Sequence, residues 1–167
     1  QGIHPLFGDV AVRQALQHAV DIDQIIASAQ NGNATPMVAG TIPSAYTLHP
    51  DLERRPFDLD AARDLLEEAG WVEDGDPLVE GGDGQRVCDG CLYAEEVDPA
   101  YNGTAFSFEI FNPGDARNDV SVILQETFAQ IGVDVEVRPT DFNTMYDGNM
   151  GVQTFDAAVA GWRGGIP

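Results

Sequence analysis

The sequence contains no lysine, and its basic charge comes from 8 arginines against 28 acidic residues, which gives a formal net charge of −20. Such an acidic surface repels the phosphates of nucleic acids and the headgroups of anionic lipids, so we exclude both as principal partners. The acidic residues are spread along the chain, as expected of a solvated surface. The excess of acidic residues is explained equally well by adaptation to high salt and by a source organism that favours arginine over lysine. The net charge therefore does not indicate a function.

Long apolar runs are also missing. No stretch of about 18 apolar residues occurs, so we expect no membrane-spanning helix. The length of 167 residues, of which 43% are hydrophobic, suits one domain with its own core. The chain does not begin with Met, and it stops soon after an apolar run. We therefore expect residues 1–167 to be a single lobe cut from a longer chain; a complete small protein with a processed terminus is the alternative.

Cysteine is scarce, with Cys88 and Cys91 in a Cys-Asp-Gly-Cys motif after a glycine-rich segment. A structural zinc site usually takes four ligands, and no second cysteine pair or nearby histidine completes one. A thioredoxin-like pair would open a helix after a strand, whereas glycines precede this one. We predict a short structural disulfide, with free thiols, metal binding and catalysis as alternatives. Disulfide use favours an extracytoplasmic location.

Catalytic motifs are not found. The sequence has no Gly-x-Ser-x-Gly turn, Walker loop or dinucleotide glycine pattern. The three histidines, His4, His18 and His49, are scattered without metal-ligand spacing. Acidic pairs are abundant, but among 28 acidic residues chance pairs are inevitable. We predict that the chain is not an enzyme and carries no cofactor; a hydrolase domain is a weaker alternative.

Helical periodicity marks the first part of the chain. Asp9 is suited to cap one helix, Asp21 or Asp23 a second, and Asp58 or Asp60 a third that ends at Gly70. Between the second and third helices, residues 34–57 contain four prolines and read as an extended loop.

Strand signals mark the second part. Phe106, Phe108 and Ile110 alternate with polar residues, a helix is predicted over 119–131, and alternating valines over 133–137 follow. Asp141 should cap a short helix, and the apolar run 155–162 suits a strand covered on both faces. Residues 72–103 are acidic and glycine-rich, and we expect a hairpin-like surface excursion there. This order predicts an α/β fold with a mixed sheet covered by helices and parallel pairing.

Two segments together carry a family resemblance. Residues 9–21 read Asp-Val-Ala-Val-Arg-Gln-Ala-Leu-Gln-His-Ala-Val-Asp, and residues 58–71 read Asp-Leu-Asp-Ala-Ala-Arg-Asp-Leu-Leu-Glu-Glu-Ala-Gly-Trp. Ile-Gly-Val at 131–133 and Phe-Asp at 155–156 before Gly161-Trp162 extend the match. In this order they resemble the second, C-terminal lobe of family 5 extracellular solute-binding proteins, the oligopeptide-, dipeptide- and nickel-binding components of ABC importers. The resemblance spans 9–162 with a gap across 72–103.

The resemblance implies one lobe of a two-lobed clamp of the periplasmic-binding-protein type, which traps a peptide or similar small solute and presents it to a membrane permease. It implies that the missing first lobe and the ABC permease subunits are partners. It also implies a periplasmic or cell-surface location, with a lipid anchor through the missing N-terminus. The hinge strands should flank Gln1 and Pro167, so the two ends should lie near each other.

The ligand-facing residues are expected at the carboxyl ends of strands. This expectation points to Asn112 after one strand and to Trp162, Arg163, Gly164 and Gly165 after the last. Trp162 offers a flat apolar face for stacking, although a core role is equally compatible with its type. Peptide-binding members often carry an Asp shortly after this Trp, and none occurs here before the chain stops. We expect Trp162, Arg163 and Asn112 to be partly exposed along one edge.

A different class of function is a calcium-stabilised extracellular structural or adhesion module. This alternative is suggested by two acidic segments, Glu73-Asp74-Gly75-Asp76 and Asp83-Gly84. Their spacing does not match the ligand positions of an EF-hand loop.

Overall fold

The computed structural model describes residues 4–36, 53–114, 116–151 and 155–161. Its helices are α1 (Val10–His18), α2 (Ile22–Ala29), α3 (Leu59–Glu68), α4 (Leu92–Val97) and α5 (Ala116–Ala129). Its strands are β1 (Trp71–Pro77), β2 (Gly84–Cys88), β3 (Ser107–Asn112), β4 (Asp134–Pro139) and β5 (Ala157–Ala158). A 3-10 turn covers Pro99–Tyr101 and a π-helical segment covers Thr144–Met150. Within these ranges, no helix combines the length and the apolar character needed to cross a bilayer.

Aspartate caps begin the first three helices, as the sequence predicts. The carboxylates of Asp9, Asp21 and Asp58 accept backbone N–H bonds from the first turns of α1, α2 and α3, with N···O distances of 2.8, 2.9 and 3.0 Å. Each bond satisfies an N–H that has no partner within its helix. The buried faces of α1 and α3 pack against each other.

The central sheet is parallel, and the predicted α/β fold is confirmed. Its strand order is β4-β3-β5, with Ser107 opposite Asp134, Asn112 opposite Pro139 and Ile110 opposite Ala157. Helix α5 connects β3 to β4 and packs on both strands. Phe108, Ile110 and Asn112 are the buried positions of β3, because alternate side chains of a strand face the same side. Phe108 lies near Phe128 of α5, with ring centroids 6.1 Å apart, so this face lies under α5.

Residues 72–103 are more closely integrated than the expected surface excursion. β1 and β2 form an antiparallel hairpin in which Trp71 lies opposite Cys88. The backbone of Arg86 then bonds in two directions, to Phe106 before β3 and to Gly132 before β4. Because the antiparallel β2 borders the chain that enters the parallel sheet, Cys88, Cys91 and Ala94 lie in the core.

Gly70 joins α3 to this hairpin. Its φ of +83° is left-handed, and a Cβ there would collide with the backbone of Gly90. Trp71, 1% exposed, packs on Phe106 with a centroid separation of 4.5 Å. The prediction that the third helix ends at Gly70 is confirmed, and Trp71 packs in the core directly after it.

Three boundaries differ from prediction. α5 begins at Ala116, before Asp119, so Asp119 lies inside its first turns and does not cap it. Of the strand predicted over 155–162, the described part up to 161 contains only Ala157–Ala158, and both residues are half-buried because β5 lies at the edge of the described sheet. The short helix after Asp141 is mostly a π-helix.

Two expectations concern residues outside the described ranges. Most of the extended loop predicted over 34–57 lies outside them, and its described parts, 34–36 and 53–57, contain no helix or strand. Gln1 and Pro167 also lie outside. The Nε2 of His4, the first described residue, lies 3.2 Å from a carboxylate oxygen of Asp156.

Candidate functional site

The carboxyl edge of the parallel sheet brings three strand ends together. The backbone N–H of Thr140, after β4, donates to the Asn112 carbonyl at 2.9 Å, and the N–H of Val159, after β5, donates to the Phe111 carbonyl at 2.9 Å. The segments that leave β3, β4 and β5 therefore begin side by side. Ligands of open parallel α/β sheets bind at this edge.

Asn112 ends the central strand and is fully buried, with 0% of its surface exposed. The expectation that it is partly exposed is wrong, because the alternation of β3 turns it toward α5. Its Oδ1 accepts the backbone N–H of Gly114 at 2.9 Å. Among the residues that the structure describes, its Nδ2 has no hydrogen-bond partner. A buried donor without an acceptor costs about 1–3 kcal/mol, so Asn112 holds an unused hydrogen-bonding capacity at the carboxyl edge of the sheet.

Four further residues were predicted to contact the ligand, and all of them lie outside the described ranges: Trp162, Arg163, Gly164 and Gly165. The chain that leads to them is described as far as Gly161. A Cβ atom added to Gly161 would lie 3.1 Å from Nη2 of Arg117. The segment that leads to Trp162 thus passes against the first turn of α5.

Arg117 was missed by the sequence reasoning. It follows the β3–α5 loop and lies in the first turn of α5, partly buried. One feature of the sequence could have indicated it: Arg117 follows closely on the strand whose carboxyl end was predicted to face the ligand. The sequence does not show its approach to Gly161, because the two residues meet only when β3 and β5 pair.

The end of β4 adds an aromatic pair. Phe142, 57% exposed, packs on Tyr146 with a ring-centroid separation of 4.3 Å. Asp141 begins this segment by accepting from the hydroxyl and the backbone N–H of Thr144. Both bonds hold the pKa of the Asp141 carboxyl below its usual value, and the bond from the Thr144 hydroxyl is the larger cause.

A depression of about 330 Å³ lies at the opposite, amino-terminal edge of the sheet. Its lining is mostly acidic: Ser107, Phe108, Glu109, Asp134, Glu136 and Asp156. Arg138 neutralises part of this charge through ion pairs of 2.8 and 2.9 Å to Glu109 and Glu136. The strand-end rule favours the carboxyl edge instead, so we do not assign the depression to the ligand.

Cys88 and Cys91 are joined as a disulfide, and both are buried. With Glu95 they form a group of side chains of metal-ligating type, the one such group within the described ranges. Sulfurs bonded to each other offer no thiolate to a metal, so the disulfide and a metal site exclude each other.

Two of the acidic residues behind the calcium alternative, Glu73 and Asp83, are bonded to protein groups. Glu73 accepts from the Gly84 backbone N–H at 3.0 Å. Asp83 accepts from Arg63 at 2.7 Å and lies 3.5 Å from the buried Arg86. Two guanidinium groups already balance the Asp83 charge, so these contacts lend the calcium alternative no support.

Comparisons with known proteins find similar sequences among peptide-binding proteins. The oligopeptide-binding protein AppA of Bacillus subtilis is 28% identical over 163 residues, which are 94% of this chain and 26% of AppA. A putative ABC transporter peptide-binding protein of Brucella ovis is 43% identical over 68 residues, covering 40% of this chain and 12% of that protein. This chain thus spans about a quarter of the length of AppA.

Solved structures share the fold. AppA in complex with a nonapeptide superposes with a TM-score of 0.74 at 24% identity, over 95% of this chain and 29% of AppA. NikA from Brucella suis in complex with Fe(III)-EDTA superposes with a TM-score of 0.65 at 27% identity, over 93% of this chain and 28% of NikA.

The family model for the middle part of the bacterial extracellular solute-binding proteins, family 5, matches residues 2–167. The same fold is found in AppA with a bound nonapeptide and in NikA with bound Fe(III)-EDTA. On the match of the family model, the chain belongs to the family 5 extracellular solute-binding proteins.

Proposed function

We propose that this chain is part of the substrate-binding component of an ABC importer, which captures peptides or similar small solutes for a membrane permease. The observation that carries the proposal is the family match over 2–167, the whole of this chain except Gln1. Support for a peptide comes from AppA, and support for a metal chelate comes from NikA. The solute class is therefore peptide-like or chelate-like.

The proposed contacts lie at the carboxyl edge of the sheet. Trp162 would stack on the solute, Arg163 would meet an anionic group, and Gly164 and Gly165 would let the backbone approach closely. Asn112 would act from below, through its unpaired Nδ2, and not as an exposed contact. Binding in this family of folds places a solute between two lobes, so a first lobe would supply the opposing groups.

The partners and location follow from the same proposal. The permease subunits of the importer would receive the solute, and the protein would act outside the cytoplasm, held by a lipid anchor. A binding role without catalysis fits the relatives, which are binding proteins.

Calorimetry on the complete protein and on residues 1–167 alone tests the proposal. The complete protein should bind a mixed pool of short peptides, whereas the isolated chain should fold but bind weakly or not at all. The reason is that a solute held on one face keeps much of its surface in water. Submicromolar binding by the isolated chain would contradict the two-lobed site, and no binding by the complete protein would contradict peptide capture.

A further inference from the structure

The Cys88–Cys91 pair lies beside a third group of metal-ligating type, the carboxylate of Glu95. Cys88 ends β2, Cys91 precedes α4, and the exposed residues Asp89 and Gly90 join them. Gly90 has a left-handed φ of +77°, and the sharp turn that it allows leaves both cysteines 1% exposed. Glu95 follows Cys91 by four residues, the spacing that places two side chains on the same face of a helix.

The carboxylate of Glu95 lies against a sulfur that cannot donate to it. Its Oε1 is 3.7 Å from Sγ of Cys88, and a sulfur in a disulfide carries no proton. Within the described ranges, no other side chain donates to this carboxylate or forms an ion pair with it. The side chain is also partly buried, where a charged group needs a compensating partner. Among the described residues, the cluster therefore has three ligand-type atoms and no positive charge.

The separations of these atoms are compatible with one tetrahedral metal ion. The two sulfurs and a carboxylate oxygen of Glu95 all lie within 4.8 Å of one another. Zinc binds thiolate sulfur at about 2.3 Å and carboxylate oxygen at about 2.0–2.2 Å, so its tetrahedral ligands lie about 3.4–3.8 Å apart. The 3.7 Å between Cys88 Sγ and Glu95 Oε1 falls within this range. The Cys-x-x-Cys spacing is also one that zinc sites use.

Reduction of the disulfide makes the two sulfurs available as ligands. In exchange with a dithiol reductant, the S–S bond breaks, the reductant becomes a disulfide, and its two protons pass to Cys88 and Cys91. A metal ion then displaces these protons and binds the thiolates. Two thiolates and the Glu95 carboxylate bring three negative charges together, which a divalent cation largely neutralises. Thiolates favour thiophilic ions such as Zn²⁺ over Ca²⁺ and Mg²⁺.

We propose that reduction of the Cys88–Cys91 disulfide creates a binding site for a thiophilic divalent cation, with Glu95 as the third protein ligand and water as the fourth. The backbone N–H of Cys88 donates to the carbonyl of Thr104, ahead of β3. The site thus lies at the opposite end of that strand from Asn112 and does not depend on solute capture. The oxidised protein holds the disulfide, and the reduced protein holds the ion.

A cadmium titration of the complete protein tests the site. The protein is reduced with dithiothreitol, desalted without oxygen and titrated with Cd²⁺, whose bonds to thiolates absorb in the ultraviolet. The reduced wild type should gain this absorption with one equivalent at the site, whereas the oxidised protein and C88S should not. E95Q should bind at least about tenfold more weakly, since even residues that only support a metal ligand contribute that much. The matched control E96Q removes the adjacent, exposed carboxylate and should bind like the wild type.

The outcomes decide for or against the site. Equal affinities of E95Q and the wild type would overturn it, because the two thiols would then bind the ion without Glu95. It is also overturned if dithiothreitol leaves the disulfide intact in the folded protein, or if C88S absorbs as strongly as the wild type. Weaker binding by E95Q alone supports it. Circular dichroism should show that E95Q folds like the wild type, since no described hydrogen bond of the oxidised protein is removed.

Discussion

At the scale of single residues, Arg86 links three segments of the core. Its side chain is 1% exposed and donates to the carbonyls of Trp71 and Ile131, both at 2.8 Å. Asp83, which also accepts from Arg63, lies 3.5 Å from it. A buried guanidinium is tolerated only when its donors are satisfied, and here carbonyls satisfy them.

Replacing Arg86 with leucine should therefore lower the free energy of unfolding by about 3 kcal/mol, since two buried carbonyls lose their donor. Urea denaturation measures this change. Arg55→Leu is the control: Arg55 is exposed and, within the described ranges, has one hydrogen bond, to Gln17, so its loss should cost no more than about 0.5 kcal/mol. Equal stabilities of the two variants would show that the Arg86 bonds contribute little.

At the scale of elements, the segment after β4 begins with two hydrogen bonds to the Asp141 carboxylate. Asp141 accepts from the Thr144 hydroxyl and N–H, and these bonds lower its pKa. Because the folded-state pKa lies below the unfolded one, the cap stabilises the fold fully above the unfolded value. That contribution is lost as the pH falls through the folded pKa.

A carbon-detected NMR titration of the Asp141 carboxyl should accordingly give a midpoint below the ordinary value of 3.8. Thr144→Val keeps the shape of the side chain but removes the hydroxyl donor, which is the largest cause of the shift. The midpoint should then move upward toward the ordinary value. An unchanged midpoint in Thr144→Val would mean that the hydroxyl does not act on this carboxyl.

At the scale of the whole molecule, the net charge of −20 opposes folding, because compaction brings like charges together. Salt shortens the range of this repulsion to about 3 Å at 1 M. It also weakens favourable ion pairs, but with 8 basic residues these are few.

The melting temperature should therefore rise as potassium chloride increases from low to molar concentration. Calorimetric melts in chloride measure the effect, and chloride avoids the added stabilisation by excluded salts such as sulfate. Sucrose, which is uncharged, provides the control for general exclusion. A flat or falling melting temperature in chloride would show that charge repulsion is not a major term in the stability of this fold.

Local patterns in the sequence determined much of this fold. Aspartate caps with apolar periodicity determined α1, α2 and α3, alternation determined β3, and the order strand, helix, strand indicated its parallel pairing with β4. These features are readable because they depend on neighbours within a turn or on one strand face. The family motifs are also short segments, so the resemblance could be recognised from residues alone.

Only the tertiary structure decided which polar residues are buried and which charges are paired. The burial of Arg86 depends on carbonyls of Trp71 and Ile131, which are distant in sequence. The approach of Arg117 to Gly161 requires β3 and β5 to pair first. Asn112 looks like a loop residue in the sequence, but the pleat of β3 turns it under α5. Such properties arise from long-range packing, which the local order of residues does not encode.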